Sequence, residues 1–201
     1  LGSNFSHNQI VLIRHARPMV DRHGFFSSRA AARFISDYDA AAVEEFVFEH
    51  HALPTGSYKK IFCSTLLRSQ LTAKAIFGED ATFVVRPEFR EFERKVFSLP
   101  LLRLPVGFWL VMARLLWFLG FNSKGIETFA QARQRARTCA NILAGEAETH
   151  HAAILVAHGL LNNFIMLELR RMGWKLTDKG GSSFLAVNIL QRRKADAESQ
   201  A

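Results

Sequence analysis

Five short apolar runs punctuate the chain, at residues 9–14, 60–63, 82–85, 152–157 and 184–190. Each has the length of a strand and is nearly continuous rather than alternating, the pattern of a strand buried on both faces. Between them, apolar residues recur at helical spacing over about 28–36, 41–51, 65–77, 127–148 and 160–172. The fourth of these is the clearest: Phe129, Ala132, Ala136, Ala140 and Leu143 share one stripe, with arginine and glutamine opposite. Strands that alternate with helices predict an α/β fold, a three-layer α/β/α sandwich around a mostly parallel central sheet.

One segment breaks this rhythm. Residues 99–121 are strongly apolar but interrupted by Arg103, Pro105 and Arg114. The apolar stretch beyond Pro105 is shorter than the roughly 20 residues that a membrane span needs. It reads as a helical insertion packed on the domain or at a dimer interface. A substrate lid or a peripheral membrane contact are its other uses, which Trp109, Trp117 and the arginines would suit.

Composition narrows the field. A chain of 201 residues supports one domain, taken here as 4–195, with Leu1-Gly2-Ser3 set aside as the remnant of a cleaved tag. The stretch from about Gln191 turns polar and is expected to fray. An apolar content of 49% with 22% charged residues excludes wholesale disorder. The formal charge of +8 points to anionic partners. Nucleic acid is not expected, because the cations are spread over helix faces apart from Arg133, Arg135 and Arg137. Cys63 and Cys139 make no disulfide framework, and a cytoplasmic location is expected.

The chemistry collects where the apolar runs end. The first runs into Arg14-His15-Ala16-Arg17. Flanking cations oppose protonation of the imidazole and offer a phosphate dianion a bidentate site. A neutral imidazole facing a phosphoryl group is a nucleophile. The fourth run ends similarly, in Ala157-His158-Gly159. Ligands collect at the carboxyl ends of such strands, so these two distant histidines are expected in one pocket. The second run leads through Cys63-Ser64-Thr65 to Arg68 in a first helical turn, with Ser64 or Thr65 as the cap. Such a helix start attracts anions. After the third run come Glu88, Glu91 and Glu93, any of which could protonate a departing alkoxide; residue chemistry alone does not rank them. The pairs His50-His51 and His150-His151 lack metal-ligand spacing, since neighbours on one helix point apart. No metal or cofactor is expected.

These pieces, in this order, resemble the histidine phosphatase superfamily, the phosphoglycerate mutase-like proteins. Arg14-His15-Ala16 stands where that family has Arg-His-Gly. Ser64 and Arg68 match its Ser-x-x-x-Arg, Phe89-Arg90-Glu91 its acid stretch, and His158-Gly159 its second histidine. The resemblance spans residue 9 to about 190. It implies a phosphoglycerate mutase-like fold and a metal-independent phosphomonoesterase, with His15 as nucleophile and Glu91 as general acid and base. Arg14, Arg68 and His158 would hold the phosphoryl group, with Ser64 and Arg17 as further substrate contacts. Ala16 in place of glycine, the Arg17-Pro18 exit and the missing glycine-rich turn after the acid favour a phosphatase over a mutase. A weak or inactive phosphate-binding regulatory protein of the same fold is the alternative. The substrate implied is a phosphorylated small molecule or a phosphoprotein, with an apolar portion if residues 99–121 cover the pocket mouth.

Overall fold

The computed structural model describes residues 7–51, 53, 60–121 and 124–193. In chain order its elements are β1 (His7–Arg14), β2 (Phe25–Ser27), α1 (Ser28–Ala40), β3 (Lys60–Ser64), α2 (Leu67–Phe77) and β4 (Thr82–Arg86). A 3-10 turn, Pro87–Phe89, comes next. Then come β5 (Arg103–Pro105), α3 (Val106–Phe118), α4 (Phe129–His150), β6 (Ala152–Ala157), α5 (Gly159–Arg171), β7 (Lys175–Lys179) and β8 (Val187–Arg193).

Six strands form one sheet in the order β4-β3-β6-β1-β8-β7. The first four run parallel; β8 lies antiparallel to β1, and β7 antiparallel to β8. Each central strand sends alternate residues to opposite layers. From β1, Ile10 and Leu12 pack under α4 and α5, with Ala140, Leu143, Leu161 and Ile165. Val11 and Ile13 pack on the other face with Ala73 and Ile76 of α2. All four β1 residues are fully buried, and burial of each such side chain contributes roughly 1.5–3 kcal/mol. A strand with two dry faces has to be apolar throughout, which is why these runs do not alternate. Helix α4 starts on a capping box, Thr128 accepting from the Gln131 amide while the Gln131 side chain takes the Thr128 amide.

Four expectations need correction. Residues 41–51 are not a helix. Val43 bridges Pro18, and the Glu44 amide donates to the Arg17 carbonyl at 2.8 Å. Phe46 and Phe48 reach the core while Val47 and Glu49 face solvent, so the spacing is that of an extended chain. Gln191–Arg193 do not fray, because they pair with His7–Gln9. The last strand starts at Val187, later than 184; Leu185 sits at φ 60°, in the turn before it. Neither Ser64 nor Thr65 caps α2: its first flanking residue is Leu66, and no side chain caps it. Residues 1–3, the outer limits of the 4–195 assignment and the rest of the stretch expected to fray, 194–201, lie outside the described residues.

The apolar insertion pairs β5 with β2 and then forms α3. Val106 and Leu110 pack on Phe34 and Tyr38 of α1. Trp109 and Trp117 are fully buried, their indole N–H groups donating to the carbonyls of Phe26 (2.8 Å) and Glu127 (2.6 Å). Neither tryptophan is therefore available to a membrane surface. Among the described residues no helix is long and apolar enough to cross a membrane.

Candidate active site

Strand register delivers the site. Arg14 lies opposite Ala157, Cys63 opposite Val156 and Ser64 opposite Arg86, so β1, β6, β3 and β4 end at one edge of the sheet. The residues just beyond those ends open a cavity of about 270 Å³ lined by Arg14, His15, Arg68, Glu91 and Gly159, among others.

His15 is buried and tightly oriented. Its Nδ1 lies 2.7 Å from the Ala16 carbonyl, so Nδ1 carries the proton and donates. That leaves a lone pair on Nε2, which accepts from Arg68 Nε–H at 3.2 Å. Burial above all, then the charge of Arg68 and more weakly that of Arg14, pushes the imidazole from 6.5 down to about 3, against the pull of the Ala16 carbonyl. The imidazole is neutral, as expected; the main cause is desolvation rather than the flanking charges, and Arg17 takes no part. Thr72 fixes the backbone here. Its hydroxyl accepts from the Ala16 amide at 2.9 Å and donates to the Arg68 carbonyl at 2.6 Å, tying the nucleophile loop to α2.

Arg68 is nearly fully buried, held by the Asp39 carboxylate at 2.9 Å and the Tyr38 carbonyl at 3.0 Å. Arg14 donates to the Ser182 carbonyl and stacks on the Phe184 ring, 4.1 Å from its centroid. Gly159 allows this placement: a Cβ there would stand 3.2 Å from the Arg14 side chain. His158 lies behind this layer, wholly buried, its ring 5.1 Å from that of His15. Neither of its nitrogens has a hydrogen-bond partner among the described residues. Burial, with the neighbouring His15 and Arg68, lowers its pKa well below the ordinary value.

Of the three candidate acids, Glu91 alone lines this cavity. Its carboxylate accepts from the amides of Phe92 (3.0 Å) and Leu161 (3.2 Å). Glu88 is occupied by Arg86 at 2.9 Å, which lowers its pKa, and Glu93 accepts the Glu127 amide at 2.8 Å.

Two expected substrate contacts fall elsewhere. Ser64 is fully buried, its hydroxyl taken by the Leu66 amide at 3.1 Å, and it builds the turn rather than the cavity wall. Arg17 projects to solvent beside Glu44, 3.8 Å away. Six lining residues carried no individual sequence signal as site members: Arg22, Tyr38, Arg94, Leu160, Asn163 and Ser182. Arg114 also lines the cavity, and its signal was visible as a charge inside an apolar run. The histidine pair His50-His51 departs from expectation as well. With no helix to splay them, the rings stack at 4.8 Å and both face Asp178, a cluster of three metal-type ligands remote from the cavity.

Fold and site together define an α/β protein with a cavity lined by arginines at the carboxyl ends of its parallel strands, over a neutral histidine. The histidine phosphatase superfamily (branch 1) family model matches residues 10–200, and the chain belongs to that family. No curated protein sequence matches it significantly. Among solved structures, it is similar to the ecdysone phosphate phosphatase of Bombix mori, with TM-score 0.55, 12% identity and 96% of both chains covered. It is also similar to a mycobacterial glucosyl-3-phosphoglycerate phosphatase, with TM-score 0.52 and 18% identity over 92% of this chain and 90% of that one. Identities this low establish the shared fold.

Proposed function

We propose that the protein is a phosphomonoesterase that works through a covalent phosphohistidine. The observation that carries this reading is the neutral His15, its proton fixed on Nδ1 and its Nε2 turned toward Arg68 in a cavity that also presents Arg14 and Glu91. A phosphoryl group entering there takes over donors from Arg68 and Arg14, which frees the Nε2 lone pair. The partnerless nitrogens of His158 fit a role beside the same oxygens.

The Nε2 lone pair forms the N–P bond as the ester P–O bond breaks, and the Glu91 carboxyl proton passes to the leaving oxygen. A water then gives a proton to the Glu91 carboxylate and its oxygen to phosphorus. The N–P bond breaks, its electron pair returns to Nε2, and inorganic phosphate leaves.

His15→Ala should abolish hydrolysis of an aryl phosphate. Glu91→Gln should slow an alkyl phosphate by about 10²–10⁴-fold and an aryl phosphate by less, because a phenolate leaves without help. Equal losses on both esters, or full activity in His15→Ala, would remove these roles. If phosphate reaches an added alcohol in preference to water, the activity is that of a mutase or transferase.

A further inference from the structure

The cavity holds more positive charge than one phosphate ester uses. Five guanidinium groups line it, those of Arg14, Arg22, Arg68, Arg94 and Arg114, against the single carboxylate of Glu91. Arg68 is paired with Asp39. Arg22, Arg94 and Arg114 make no ion pair with any described residue. They come from three separate parts of the chain, the loop after β1, the loop after the 3-10 turn, and α3.

Tyr38 is the meeting point of Arg22 and Arg94 with Arg68. The guanidinium carbons of Arg68, Arg22 and Arg94 lie 4.7, 5.8 and 6.0 Å from its ring centroid. Arg114, beside Arg94, is held separately. It donates to the carbonyls of Phe92 (2.8 Å) and Glu93 (3.1 Å) and sits over Trp117 at 4.7 Å. Burial and the nearby Arg94 push its guanidinium down to about 10, which leaves it charged at neutral pH. The ring face of Tyr38 offsets part of the repulsion between these cations. An anion would offset far more, with charge-assisted hydrogen bonds. The volume, about 270 Å³, is just below the roughly 300 Å³ at which small-molecule sites start, so the ligand it fits is small. The contribution of α3 to the cavity is thus a cation, Arg114, rather than the apolar wall that its sequence suggested.

We propose that Arg22, Arg94 and Arg114 form a second anion subsite, and that the substrate is a small phosphate monoester bearing another anionic group, a carboxylate or a phosphate, on its alcohol portion. This rests on the phosphomonoesterase reading above. The first arginine pair and the histidines serve the transferred phosphoryl group; the second cluster selects the group it is attached to.

Matched substrates test it. One pair is 3-phosphooxypropanoate and its methyl ester; the other is propane-1,3-diol bisphosphate and the corresponding monophosphate. The charged member should have a kcat/KM at least about tenfold higher, and the better pair identifies carboxylate or phosphate. Arg22→Gln and Arg94→Gln should each drive that ratio toward one. Arg114→Gln should too, but Arg114 also braces the 92–93 loop, so the exposed Arg22 gives the cleaner readout. The same pairs, titrated calorimetrically into His15→Ala, report selectivity without turnover. A ratio near one in both assays, or a ratio that Arg22→Gln and Arg94→Gln leave unchanged, overturns the subsite. Selective binding that the variants abolish, with no turnover of any ester, would keep the subsite and overturn the phosphatase reading instead.

Discussion

A histidine serves as a nucleophile only while one nitrogen keeps its lone pair, and His15 is held in that state by its Nδ1 bond to Ala16 and by burial. The same burial has a consequence for stability. His15 and His158 both have lowered pKa values in the folded protein, so the unfolded chain takes up protons first, from about pH 6.5 downward. Their contribution is complete above that pH and is lost progressively as pH falls, that of His15 over the range down to about 3. In phosphate-free buffer the Tm should therefore drop between about pH 7 and 5, and His158→Asn should flatten that slope; a wild-type Tm independent of pH there contradicts the burial argument. Thr72→Val offers a second check. It strands the buried Ala16 amide and should lower stability by about 1–3 kcal/mol in urea unfolding, with Thr72→Ser close to wild type. His15, Arg68 and His158 were legible because each comes just after a recognisable strand end, whereas Glu91 was one of three acids beyond β4 and was singled out only by the family resemblance. Arg22 and Arg94 were not, since a loop arginine looks the same whether it meets solvent or a ligand. Only the fold brings them to Tyr38.

At the level of elements, the site depends on four parallel strands ending in register and on α5 starting immediately beyond one of them. Gly159, its first residue, leaves room for Arg14. Gly159→Val should displace that guanidinium and weaken inorganic phosphate binding by about tenfold, with Gly159→Ala milder; calorimetry showing wild-type affinity for the valine variant would contradict the placement. The parallel strands could be read from sequence because burial on two faces makes them uninterrupted. Strand β7, Lys175–Lys179, could not: it is an edge strand with a single apolar residue, Leu176. Residues 41–51 misled because Val43, Phe46 and Val47 have helical spacing while Phe46 and Phe48 have that of a strand, and only the core contacts of the two phenylalanines decide between them. Phe184 and Leu185, the end of the turn before β8, were absorbed into the run at 184–190, although the Phe184 ring holds Arg14.

Across the whole molecule the charge of +8 is unevenly used. Arg135 and Arg137 are engaged by Glu127 and Glu168, whereas the cavity arginines exceed their acidic partners. A dianionic ester should therefore be attracted before it binds, and kcat/KM should fall as ionic strength rises from about 0.01 to 0.15 M. A flat salt profile would show that the cavity field does not reach the incoming substrate. All of this rests on a phosphoryl group carried by His15, and one experiment addresses that directly. The protein is mixed briefly with p-nitrophenyl phosphate, quenched in alkaline denaturant and digested for mass spectrometry. The account predicts one added phosphoryl group on the peptide that contains His15, lost on acid treatment and absent from His15→Ala. A phosphoryl group on another residue, or turnover in His15→Ala at the wild-type rate, would contradict it.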